Sequence, residues 1–196
     1  MKFFEKPDSD VADRVPPGQH LAKGFPVLTY GDSPVVSTDQ WQLKVSGLAT
    51  PKTFTWDDLM ALPQSQFTAD FHCVTTWSKL DVEWTGVRVT DFLNAIEVDP
   101  KAAHVMQHCY GGYTTNVAMA DFARPENFLA HTLFEDPLPK DHGGPLRLVI
   151  PHLYAWKSAK WLNGLEFLET MALGFWERNG YHHRGEPWAV ERYSTR

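Results

Sequence analysis

The sequence predicts a mixed α+β fold, built on mixed sheets within a single domain. Three observations predict it. The apolar periodicity is that of short strands interleaved with short helices rather than of regular βαβ units. The chain has 196 residues, enough for one compact domain with its own core. Its composition, 43% hydrophobic and 21% charged, is that of an ordinary globular protein.

The elements follow in chain order. Residues 1–24 mix Lys, Asp, Arg, Pro and Gly with few large apolar side chains, and read as an irregular arm ahead of a domain spanning 25–196. Trp41, Leu43 and Val45 alternate with Gln42, Lys44 and Ser46 until Gly47 interrupts, the pattern of a half-buried strand. Thr55, with Asp58 three residues later, predicts a capped helix start, and Pro63 ends that helix. Phe67, Ala69, Phe71 and Cys73 fall on one face of an alternating segment, with Thr68, Asp70 and His72 on the other. Thr90 is read as the cap of a second short helix over 91–96. Strands are expected at 104–109, 114–118, 146–150 and 161–168. Residues 135–145 carry only turn chemistry and read as a long loop, and the tail from 176 is polar and aromatic without a clear period.

Several function classes are disfavoured. A formal charge of -6 argues against a nucleic-acid or anionic-membrane binder. No apolar run approaches the ~20 residues of a membrane helix, so no membrane span is expected. The opening residues are acidic where a signal peptide would be apolar, and no twin-arginine pair is present, so the expected location is cytoplasmic. The two cysteines, Cys73 and Cys109, lie in no CxxC or CxxCH, which leaves zinc ribbons, thioredoxin motifs and c-type haem attachment unsupported. His182 with His183, and His142 with His152, lack the i, i+4 helical spacing of a zincin. Eight tryptophans serve either a tightly packed core or a deep pocket for a flat ligand.

Four features carry possible chemistry. Cys73 ends a strand with His72 on the opposite face, so it has no base beside it. A buried inert thiol is the ordinary reading, and a soft thiolate ligand for a transition metal is the other. Arg147 sits inside an apolar strand, where a guanidinium is costly unless it pairs with a carboxylate or binds a phosphate. Between 140 and 160, Lys140, Arg147, Lys157 and Lys160 face Asp141 alone, a basic island in an acidic chain, and the small residues Ser158 and Ala159 would admit a phosphate to the backbone. Gly111 and Gly112, after Cys109 and Tyr110, permit either a plain hairpin or close approach to a ligand.

The order of these features resembles the molybdopterin-binding domain of the sulfite oxidase family. The segments concerned are Phe71 to Ser78, Val82 to Val87, Gly111 to Thr115, Gly143 to Pro151 and Tyr154 to Lys160, within a resemblance running from about Phe25 to about Tyr193. The stand-alone bacterial members, including methionine-sulfoxide reductase catalytic subunits, are the nearest in pattern. The resemblance implies a sulfite-oxidase-type molybdopterin-binding fold and a molybdenum-molybdopterin cofactor with Cys73 as metal ligand. It implies pterin or phosphate contacts at Arg147, Ser158, Ala159 and Lys160, at His142 (usually Asn in the reductases) and at Cys109 (a threonine in the reductases). It also places N-terminal contacts near Phe25, Leu28 and Thr29. His72, which replaces an arginine of the reductases, and Tyr110, with His108, become the polar candidates beside the metal for binding substrate.

The activity implied is two-electron oxygen-atom transfer on a small oxyanion or an S- or N-oxide, with electrons exchanged with a separate protein. Two rivals stand against it: a non-catalytic pterin-binding or storage protein of the same fold, and an enzyme using Cys73 as a nucleophile. The second is weakened by the lack of any Cys/His pairing.

Overall fold

A computed structural model describes residues 9–194. The elements are α1 (Ser9–Ala12), β1 (His20–Leu21), β2 (Gln42–Gly47), β3 (Lys52–Thr55), α2 (Trp56–Met60), β4 (Gln64–His72), β5 (Trp77–Arg88), α3 (Val89–Asn94), β6 (His104–Cys109), β7 (Thr114–Ala118), α4 (Met119–Phe122), β8 (Phe128–Leu133), β9 (Asp136–Pro137), β10 (Arg147–Val149), β11 (Leu162–Leu168) and α5 (Phe175–Arg178). They form two sheets. One runs β1-β5-β8-β10, with β4 also paired to β5 and β9 to β8. The other runs β3-β2-β11-β6-β7. Both are mixed: β1 is parallel to β5 and β11 to β2, while the remaining pairs are antiparallel. This is the α+β architecture that the sequence predicts, with short helices between the strands of two mixed sheets.

Local chemistry explains where elements begin and end. Thr55 accepts from the Asp58 N–H and the Asp58 carboxylate accepts from the Thr55 N–H, closing the capping box of α2. α3 departs from expectation. It starts at Val89, with Arg88 at the cap position and no side-chain cap. The Val89 N–H donates to the Asn127 carbonyl, and Thr90, one residue inside the helix, makes no cap bond.

The longest strand, β5, was hidden by its polar residues. Val82, Trp84 and Gly86 alternate with Asp81, Glu83 and Thr85, and β5 becomes a strand because it is gripped by β4 on one side and β8 on the other. At Gly86 a Cβ would stand 2.0 Å from the Leu129 carbonyl oxygen, so only glycine permits this strand crossing. The expected loop over 135–145 is also partly ordered. Phe134 and Glu135 both have positive φ, the geometry of a tight hairpin turn, and they return the chain from β8 into β9. Residues Lys140–His142 then form one 3₁₀ turn.

The main core lies around Trp41, Leu43, Phe54, Phe92, Leu165 and Phe167. A second cluster, with Phe71, Trp77, Trp84, Tyr154 and Trp156, packs beneath the candidate site. The described part of the N-terminal segment is tied to the first sheet: β1 pairs with Trp77 and Ser78, and Arg14 forks onto Asp70 at 2.9 and 2.6 Å.

Candidate functional site

Cys73, Arg147 and Lys160 meet in one cavity of about 320 Å³, whereas Lys157 is buried elsewhere in an ion pair with Glu177. Cys73 stands at its wall because β4 bulges. A register shift between Ala69 and Phe71 breaks strict alternation. Phe71 and Cys73 therefore reach the cavity, whereas Phe67, expected on their face, stacks on Phe128 beside a different, open groove. Cys73 lies one residue beyond the strand, its N–H donating to the Trp77 carbonyl. Its thiol is 6% exposed, 3.2 Å from the Thr75 hydroxyl, and burial pushes its pKa up.

Opposite stand two cations without counter-charges. Arg147 is carried inward by β10 and is 2% exposed. Its guanidinium donates to the carbonyls of His142 (2.8 Å) and Ser158 (3.1 Å) and lies over the rings of Phe71 and Trp84. Lys160 donates to the carbonyls of Leu28 (2.9 Å) and Asp141 (2.7 Å). Among the described residues neither has a carboxylate within ion-pair distance. Burial pushes Arg147 down to about 9, and burial together with Arg147 pushes Lys160 down to about 7. Cations left without carboxylates at a cavity wall favour an anion there. Gly143 completes the approach. Its φ of +107° favours glycine, and a Cβ there would stand 2.8 Å from the Lys160 Cβ, displacing that side chain.

The walls are aromatic. Phe25 stacks on His142 at 4.6 Å, and burial with the neighbouring Arg147 and Lys160 pushes His142 down to about 4, so it is neutral at pH 7. Trp77, Trp156, Trp161, Trp176 and Tyr181 close the remaining sides. Among the described residues no three His, Cys, Asp or Glu side chains converge on a metal position. A metal here would take one thiolate from the protein and its other ligands from elsewhere.

The structure thus brings together Phe25, Leu28, Thr29, Cys73, His142, Arg147, Ser158 and Lys160 at one cavity. Four other expected residues do not line it. His72 points the other way, bonded to Ser78 at 2.8 Å and facing the open groove with Asp70 and His152. Tyr110 accepts from the Gln42 N–H at 3.0 Å at the sheet edge. Cys109 is packed in the main core, its thiol held protonated by burial. Ala159 turns its N–H to Gln107, not to the cavity. His108, the further polar candidate, is occupied by Glu166 at 2.9 Å. Sequence reasoning missed Tyr113, Trp161, Trp176 and Tyr181. Tyr113 lay within the Gly111 to Thr115 segment of the resemblance but was not singled out, and for the others the signal was the aromatic excess, which has no period because these residues come from turns and an irregular tail.

Comparison with known proteins identifies the family. Residues 30–176 match the family described as the oxidoreductase molybdopterin binding domain. The chain is 44% identical over 196 residues to the uncharacterized oxidoreductase YuiH of Bacillus subtilis, covering 99% of each chain. It is 32% identical over 173 residues to a putative protein-methionine-sulfoxide reductase subunit, YedZ1, of Azospira oryzae, covering 86% of this chain and 66% of the relative. It is 27% identical over 185 residues to the mitochondrial sulfite oxidase of Drosophila melanogaster, covering 80% of this chain but only 32% of the relative. Among solved structures, the sulfane dehydrogenase SoxCD of Paracoccus pantotrophus superposes with a TM-score of 0.68 at 18% identity, over 95% of this chain and 62% of that one, a likeness of fold. A pocket offering one thiolate, an anion site and aromatic walls, on a chain that matches this family model over most of its length, has one reading: the chain belongs to the molybdopterin-binding oxidoreductase family, and it is a sulfite-oxidase-like enzyme that uses the molybdenum-molybdopterin cofactor.

Proposed function

We propose that this chain catalyses oxygen-atom transfer on a small oxyanion or an S- or N-oxide, exchanging electrons with a separate protein. The observation that carries the reading is a pair of cations, the buried Arg147 and the half-buried Lys160, left without carboxylates on the cavity that also receives Cys73. When bound, the cofactor supplies two-electron oxygen-transfer chemistry at molybdenum.

The residues present fit that group. Cys73 offers the soft thiolate, and its raised pKa means that the proton leaves when metal binds. Arg147 presents a planar fork suited to a phosphate, Lys160 a point charge beside it, and Ser158 lines the same wall. Phe25, Trp77 and Trp161 provide flat apolar faces and exclude water. Tyr181, kept protonated chiefly by burial, is a hydroxyl donor on the cavity wall for a substrate oxygen. The reading draws on the names of two relatives, a sulfite oxidase and a putative methionine-sulfoxide reductase subunit. The second is named as a subunit, which supports a separate electron partner.

The test uses molybdenum-loaded protein, with sulfite and a dye acceptor in one direction and methionine sulfoxide or an N-oxide with a reduced dye in the other. Saturable turnover in one direction is expected. Fully loaded protein inert in both would overturn the proposal.

Lys160 gives the binding step a pH signature. In the cofactor-free protein its amine titrates at about 7, against 10.5 for an unperturbed lysine. A phosphate would raise that value again, so binding above pH 7 requires proton uptake. Affinity for the cofactor should be flat below pH 7 and weaken above it, by at most about tenfold per pH unit. Stability of the cofactor-free protein should move oppositely. Between pH 7 and 10.5 the unfolded chain holds a proton that the folded one has lost, so stability rises with pH across that window. Reconstitution titrations and thermal melts across this range check both signs, and Lys160→Met should flatten both profiles.

A further inference from the structure

We infer that Gln19 and Arg192, from opposite ends of the chain, are positioning residues that clamp the turn carrying Cys73 and so fix the direction in which its sulfur points. The inference rests on Cys73 being the metal ligand and adds to it.

The turn after β4 is tight and strained. The Thr76 N–H donates to the Cys73 carbonyl at 3.0 Å, and Thr76 itself has a φ of +77°. Left-handed backbone is rare for a β-branched residue and persists only where the surroundings enforce it. Here the enforcement comes from outside the turn. The Gln19 side-chain amide donates to the Cys73 carbonyl at 2.9 Å. The next residue, His20, donates its N–H to the Thr76 carbonyl at 2.9 Å as β1 joins the sheet. The Arg192 guanidinium donates to the Val74 carbonyl. Three of the four carbonyls from Cys73 to Thr76 are therefore held by residues more than fifty positions away in sequence.

Both clamps are themselves anchored. Upstream of Gln19, Arg14 bridges Asp70 and Asp81, at the two ends of the segment that contains the turn. Arg192 lies over the Tyr154 ring at 5.1 Å, its carbonyl accepts from the His182 N–H, and the adjacent Tyr193 bridges to Tyr181. Arg192 has no carboxylate partner among the described residues, so its charge is directed at the turn. Neither Gln19 nor Arg192 lines the cavity. They act on Cys73 through its backbone, as outer hydrogen bonds orient the ligands of metal sites in general.

The experiment compares molybdenum-loaded wild type with Gln19→Met, Arg192→Met, Arg192→Lys and Cys73→Ser. It reads metal per chain, the thiolate-to-metal charge-transfer absorption, and kcat separately from KM. Both methionine variants are expected to keep metal and KM, shift the absorption band, and lose about tenfold in kcat, the lower end for outer-sphere changes. Arg192→Lys, which restores a donor, should recover part of the shift. Loaded Gln19→Met and Arg192→Met with the wild-type band and kcat would overturn the clamp. If Arg192→Met fails to fold, Gln19→Met, which removes one hydrogen bond, decides alone. Cys73→Ser separates the two levels. A band that survives in it removes the ligand assignment and the clamp together. A band lost in it but unmoved in both methionine variants removes only the clamp.

Discussion

Cys73→Ser is expected to give a folded protein that binds the pterin but shows no turnover. The side chain sits at 6% exposure beside the Thr75 hydroxyl, so a serine hydroxyl of nearly the same size finds a partner where the thiol had one. The structural penalty should be about 1 kcal/mol, a fall of roughly 2–4 °C in the melting midpoint for a chain of this size. The chemical penalty is of another order, because an alkoxide replaces the one soft donor that the protein presents to the cavity. Arg147, Lys160 and Ser158 are untouched, so pterin should remain. Activity near that of the wild type would remove Cys73 from the metal.

Arg147→Met is expected to have the opposite profile: cofactor lost, fold kept. The guanidinium is buried without a carboxylate, and burial holds its pKa down to about 9, so the folded protein bears an uncompensated desolvation cost until an anion arrives. Methionine fills similar space and removes that cost. It also gives up hydrogen bonds to the His142 and Ser158 carbonyls, each worth roughly 1.5–3 kcal/mol because the donor is charged. The two effects offset, and the cofactor-free protein should melt no lower than wild type. Cofactor affinity should fall roughly 10–100-fold, from the 1.5–3 kcal/mol of a hydrogen bond to a charged group. A large drop in melting temperature with normal molybdenum content would instead make Arg147 a structural residue. Residues that serve a ligand at the expense of the empty fold are a common feature of binding sites.

How much of this was legible beforehand follows from which residues obey local rules. α2 was readable from Thr55 and Asp58 because a capping box is satisfied within four residues. β2 was readable from alternation, and β6 and β7 from short apolar-containing runs on either side of the Gly111-Gly112 turn. β5 and β8 were not, since their polar residues are tolerated only by pairing on both sides, a tertiary effect invisible in a window of residues. The site divides the same way. Arg147 stood out because a cation inside an apolar strand violates burial preferences wherever it occurs. His72 was placed beside the metal by the resemblance, where it replaces an arginine of the reductases, but the strand alternation that sets it opposite Cys73 holds, and Ser78 bonds it away from the cavity. Cys109 and Tyr110 stood in a glycine-rich turn that sends Tyr113 to the cavity, while Cys109 packs into the main core and Tyr110 accepts from the Gln42 N–H of β2. Gln19 and Arg192 carried no motif, because their role exists only once both chain ends have folded back onto the same turn.

The most direct test of the central claim is the metal and pterin content of protein purified from cells that make the cofactor, by mass-spectrometric elemental analysis and fluorescence of the oxidised pterin. The account predicts about one molybdenum and one pterin per chain, one set per cavity. Folded protein carrying neither, from cells shown to load another molybdoenzyme, would contradict it.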